Sequence, residues 1–177
     1  MNFRKLAVAA TALALFAAGC GDDEPETDAT TSEPAAQTTP TPEATEVPTA
    51  NLKDTKTKPV IGKPSGDAPT KLVKEDIVTG KGKAAKKGSS ITVQYVGASF
   101  STGEEFDASW DRGEPFQLEL GAGMVIPGWD QGIVGMKEGG RRRLTIPPDL
   151  AYGPAGAPPA IGPDETLIFI VDLVEVS

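Results

Sequence analysis

Residues 70–177 predict an α+β domain, an antiparallel β-sheet packed on one short helix. Two observations carry this. Most of the segment consists of short runs rich in β-formers, and in the clearest, "ITVQYVGASF" (91–100), Ile91, Val93 and Tyr95 fall on one face and Thr92, Gln94 and Val96 on the other. Only "WDQGIVGM" (129–136) reads as helix, and it is short and interrupted by glycine. Four or five strands and a single helix in one domain are the pattern of a sheet with its helix on one face.

The elements follow in order. "LVKEDIVTG" (72–80) is a strand that ends at Gly80, and "KGKAAKKGS" (81–89) is a basic loop. After the strand at 91–100, Thr102-Gly103 supplies a turn and a short strand runs to Asp107. "EPFQLELG" (114–121) alternates again. "GGRRRLTIP" (139–147) and "ETLIFIVDLVEV" (165–176) close the chain as strands. Arg141, Arg142 and Arg143 are read as a strand with solvated sides, an interaction patch being the lesser reading. Between these strands lies "YGPAGAPPAIGPD" (152–164), with four Pro and three Gly; it is too long for a tight turn and is expected to be a functional flap.

The amino-terminal third is of a different kind. Arg4 and Lys5 precede a 13-residue apolar run, Leu6 to Ala18, and small residues lead to Cys20. The run is shorter than the roughly 20 residues a membrane-spanning helix needs, so residues 1–19 read as a secretory signal. Cys20 is the sole cysteine of the chain. The stretch Ala17-Ala18-Gly19-Cys20 resembles a bacterial lipoprotein signal, with Ala17 where that pattern prefers Leu. It implies that Cys20 is lipidated, anchoring the chain to a membrane on the extracytoplasmic side of the cell envelope; plain secretion, with Cys20 incidental near the cut, is the lesser reading. Residues 20–69 are expected to be a disordered linker. Positions 21–50 carry eight acidic and no basic side chains among Pro, Thr and Ala, too little apolar surface to offset chain entropy. Residues 51–69, with four Lys and three Pro, read as more linker.

Composition removes several chemistries. The chain has no His, which excludes imidazole metal sites and His-based triads, and one Cys forms no internal disulfide. A net charge of −8 gives no electrostatic footprint for nucleic acid. "GAGMVI" (121–126) opens like a dinucleotide fingerprint but ends in Ile126 without a βαβ unit, and the basic loop lacks the Gly-Lys-Ser/Thr order of a phosphate loop.

What remains is a set of apolar and aromatic residues beside loops: Tyr95, Phe106, Phe116, Val125, Ile126, Trp129, Tyr152, Ile161 and Phe169. By themselves they describe either a shared core or the lining of a pocket. The motifs QYVG, FDASWDRGEPF, VIPGW followed by GM, GGRRRLTIPPDLAYG and TLIFIVDL, in this order over residues 71–177, closely resemble the FKBP-type peptidyl-prolyl isomerase family. The resemblance implies an antiparallel sheet curled around a short helix and a pocket that receives proline. Trp129 would be its floor. Tyr95, Phe106, Asp107, Phe116, Val125, Ile126, Tyr152, Ile161 and Phe169 would line it, and Arg112 would pair near Asp107. Tyr95, Asp107, Ile126 and Tyr152 are the expected catalytic positions. The chain departs from the family at Ala157 and Ala160, where the flap usually carries bulkier or polar residues, and at Pro127, where Arg or Lys is common. The implied function is isomerisation of X-Pro bonds in exported proteins, without metal or cofactor, by a monomer whose partners are proline-containing polypeptides. A tethered proline-binding chaperone or scaffold with little turnover is the alternative.

Overall fold

The computed structural model describes residues 49–177. The expected signal (1–19), Cys20 and the linker up to residue 48 lie outside the described residues. The described chain forms β1 (Thr49–Ala50), β2 (Val60–Ile61), β3 (Val73–Val78), β4 (Ser90–Ser99), β5 (Glu105–Ala108), α1 (Ser109–Arg112), β6 (Phe116–Glu119), α2 (Pro127–Gly132), β7 (Arg141–Ile146) and β8 (Leu167–Val176). Two 3₁₀ turns, Pro148–Leu150 and Gly153–Ala155, lie between β7 and β8. The six-stranded sheet has the order β3-β7-β8-β4-β5, with β6 pairing β4 beside β5. Every pairing is antiparallel.

The alternation on β4 sorts its side chains between two cores. Ile91, Val93 and Tyr95 join Leu144 and Ile146 of β7, Phe169, Val171 and Leu173 of β8, and Trp129 and Ile133 in the larger cluster. Val96 and Ala98 face the other way, into a second cluster with Ile168, Ile170, Phe100, Ala108 and Ile61. Both faces of the two central strands are therefore covered. That suits strands reading as nearly continuous apolar runs, such as LIFIV in β8.

Helix α2 starts two residues earlier than its sequence pattern suggests. Pro127 occupies the first turn, where its missing N–H is no loss. The two glycines inside α2, Gly128 and Gly132, have a packing reason. A Cβ on Gly128 would stand 2.3 Å from Ile146 Cγ2, and one on Gly132 2.8 Å from Leu144 Cδ1. Only glycine at these two positions, four apart, lets the helix backbone lie against β7.

Two expectations are corrected. The boundary at residue 70 places residues 49–69 in the linker, yet β1 pairs with β2 there and Ile61 is buried in the second core, with Leu52 packed against it. The low apolar content of this segment is offset by hydrogen bonds from the domain: Arg141 donates to the carbonyls of Asn51 at 2.6 Å, Leu52 at 3.2 Å and Thr57 at 3.0 Å. The second correction concerns the Arg triplet, whose sides are not solvated. Arg141 is 0% exposed and Arg142 is buried. Each arginine is paired with the acidic residue directly across from it on a neighbouring strand: Arg141 with Asp172 of β8, Arg142 with Asp76 and Arg143 with Glu75 of β3. Arg142 also donates to the carbonyls of Gly132 at 2.7 Å and Val134 at 3.2 Å, tying the end of α2 to the sheet. These contacts join charges distant in sequence, so a local reading defaults to solvent. The four-residue α1 was also not expected; it closes at Gly113, which takes the left-handed conformation.

Candidate functional site

One face of the sheet and α2 line an open pocket of about 190 Å³. That is below the roughly 300–1,000 Å³ of sites for drug-sized ligands and suits a single side chain. It is lined by Tyr95 of β4, Phe106 and Asp107 of β5, Phe116 of β6, Met124, Val125 and Ile126 before α2, Trp129 of α2, Tyr152 and Phe169 of β8. Nine of these ten are among the residues the sequence singles out.

Trp129 is buried at the base. Three rings meet its indole edge-on: Tyr95 at 5.1 Å between centroids and 84°, Phe169 at 5.3 Å and 89°, and Phe116 at 6.3 Å and 75°. Phe106 packs edge-on to Phe169 at 5.6 Å and 84°. Edge-to-face pairs of this kind contribute about 0.5–1.5 kcal/mol each beyond area burial, so the wall is rigid before anything binds. Gly97 makes the arrangement possible, because a Cβ there would sit 2.6 Å from Phe169 and 2.8 Å from Phe106. The Trp129 Nε1–H is buried and has no acceptor among the described residues. An unpaired buried donor costs about 1–3 kcal/mol.

The polar side of the site is one connected group. The Tyr95 hydroxyl donates to Asp107 Oδ2 at 2.5 Å, Arg112 Nη1 donates to Asp107 Oδ1, and Arg112 Nη2 donates to the Tyr95 oxygen at 2.8 Å. The guanidinium carbon lies 5.5 Å from the centre of the Tyr95 ring. Burial, with the Asp107 carboxylate as the next cause, raises the Tyr95 pKa, so the phenol stays neutral. The hydrogen bond with Tyr95 and the pairing with Asp107 raise that of Arg112. At the entrance, Ile126 is the N-cap of α2, and its carbonyl accepts from the Trp129 N–H at 2.9 Å. Tyr152 is exposed at the rim.

One expected lining residue, Ile161, is not part of the pocket lining. Ile161 is buried in the main core, and its backbone pairs with Ala157 inside the 152–164 loop at 2.9 and 3.0 Å. Arg112 pairs with Asp107, where the sequence puts it, and contacts the pocket lining through Asp107 and Tyr95. Sequence reasoning missed Met124, a pocket-lining residue that is 71% exposed.

A family model described as FKBP-type peptidyl-prolyl cis-trans isomerase matches residues 81–174. An FK506-binding protein of Streptomyces anulatus is 58% identical over 120 residues, covering 67% of this chain and 97% of that protein. A probable FK506-binding protein of Corynebacterium glutamicum is 52% identical over 117 residues, covering 66% of this chain and 97% of that one. Among solved structures, AtFKBP13 aligns with a TM-score of 0.57 and 40% identity, covering 62% of this chain and 96% of that chain. FkpA from Escherichia coli aligns with a TM-score of 0.55 and 45% identity, covering 60% of this chain and 48% of that chain.

Proposed function

This chain belongs to the FKBP-type peptidyl-prolyl cis-trans isomerase family, and from that premise we propose that the aromatic pocket over Trp129 receives the prolyl ring of exported polypeptide clients. The observation that carries the reading is the set of rings held edge-on around Trp129, with a single polar group at one side.

An X-Pro bond has a small cis–trans preference, about 0.5–1 kcal/mol, and a rotation barrier near 20 kcal/mol set by amide resonance. Rotation breaks no covalent bond, so the catalyst has only to bind the twisted amide better than the planar one. The planar amide is the more polar form. A pocket of this composition desolvates it and favours the twist. The Ile126 N–H holds a substrate carbonyl, and the Tyr152 hydroxyl supplies a second donor. Asp107 holds Tyr95 and Arg112 and takes no part in proton transfer.

The test is the cis-to-trans rate of a short X-Pro peptide with the full chain, in an assay that needs no protease. Asp107→Asn should slow the rate by about tenfold. That is less than the roughly 100-fold minimum expected on losing a general acid–base catalyst. A folded Asp107→Asn chain without catalysis would overturn the positioning role.

The same proposal gives the chain a lipid anchor at Cys20 and a place on the extracytoplasmic side of a membrane. The support is the shape of residues 1–20, a basic start, a 13-residue apolar run and the sole cysteine after small residues. Each buried lipid CH₂ contributes about 0.8 kcal/mol. Cys20→Ser should move the chain from the membrane fraction to the soluble one; unchanged membrane association would argue against lipidation.

A further inference from the structure

The loop between β1 and β2 touches the outer wall of the pocket, and we propose that residues 49–63 brace that wall, with Lys58 a positioning residue for the isomerase reaction. Lys58 Nζ lies 2.7 Å from both carboxylate oxygens of Asp111 in α1 and 2.8 Å from Glu105 in β5. These two acids bracket the polar group of the site. Glu105 is two residues before Asp107, and Asp111 is next to Arg112. Lys58 thus fastens together the two elements that present Asp107 and Arg112 to Tyr95.

The brace is itself anchored. Thr57, beside Lys58, gives its carbonyl to Arg141, which is locked to Asp172 at 2.5 and 2.8 Å. Leu52 packs on the second core, and so does Trp110 of α1. A continuous set of contacts therefore runs from the buried Arg141–Asp172 pair through Lys58 to Arg112, Asp107 and Tyr95. The electrostatics give Lys58 a second effect. Asp111 also feels the charge of Arg112. With Lys58 gone, the Asp111 carboxylate competes with Asp107 for the Arg112 guanidinium and faces Glu105 without a cation between them.

The inference rests on the isomerase site lying at Asp107, Arg112 and Tyr95. An exposed ion pair contributes little to stability, so the brace is tested by its effect on the reaction. In the full chain, Lys58→Glu should lower kcat/KM for an X-Pro peptide about fivefold with only a small fall in Tm, since the charges involved are partly exposed, and Lys58→Arg should keep the wild-type rate. Because Lys58 acts through Arg112, Lys58→Glu should change little, less than about twofold, in an Arg112→Ala background, a non-additivity expected only of coupled residues. The cycle is read both as kcat/KM and as peptide Kd. A Lys58→Glu chain with the wild-type rate and Kd, or an equal loss in both backgrounds, overturns the brace. A wild-type chain that catalyses but is insensitive to Asp107→Asn and Arg112→Ala overturns the placement of the site instead.

Discussion

Trp129→Ala is expected to remove isomerase activity and to destabilise the domain by about 3–5 kcal/mol, the range for truncating a large buried aromatic. The indole is both the base of the pocket and the surface against which Tyr95, Phe116 and Phe169 stand edge-on. A single substitution therefore removes the binding surface and loosens three of its walls. Trp129→Phe separates the two effects. It keeps an aromatic base and discards an indole N–H with no acceptor among the described residues, which offsets part of the lost volume. Its urea midpoint should lie much nearer the wild type than that of Trp129→Ala, while the X-Pro rate falls measurably. Full activity in a folded Trp129→Ala chain would place proline binding elsewhere.

Arg141→Met should cost a comparable 3–5 kcal/mol, read as a lower urea midpoint with the slope unchanged. The guanidinium is fully buried, and all its partners are internal: Asp172 and the carbonyls of Asn51, Leu52 and Thr57. Its loss leaves a buried carboxylate and three backbone acceptors without their donor. Burial of Asp172 already raises its pKa, against the opposing pull of Arg141. The folded chain then holds that proton to higher pH than the unfolded chain does. The contribution of Asp172 to stability must fall as pH rises from the ordinary carboxylate value, about 3.9, through the raised one. The stability difference between wild type and Asp172→Asn should accordingly shrink over that window; a difference that grows would show that the pair with Arg141 outweighs burial. The double change Arg141→Met with Asp172→Leu should recover part of the loss, because it removes the stranded charge, though not the three carbonyls.

Such an arginine is hard to read in a sequence. Three consecutive basic residues on a strand suggest solvent, and the partners that reverse this lie 31 residues away at Asp172 and up to 90 residues away at Asn51. The same distance hid the role of residues 49–69. Their composition is that of a linker, and their order comes from Arg141 donors and an apolar sheet face that local sequence does not contain. Met124 was missed for another reason: an exposed methionine carries no periodic signal, and only the closure of the loop before α2 brings it to the pocket rim.

Much else was legible because its cause is local. The alternation of Ile91, Val93 and Tyr95 against Val96 assigned β4 its two faces before any partner was known. The aromatic residues beside loops, with the motif order, led to the pocket lining except Met124. The sequence alone determined the strands after residue 70 and most of the apolar side chains that had to leave water, since these follow from backbone preference and hydrophobic period. Only the tertiary structure decided which buried residues form a wall and which, like Ile161, stand behind it, and which charges are enclosed. Those outcomes depend on contacts between segments far apart in the chain, and no local pattern encodes a distance.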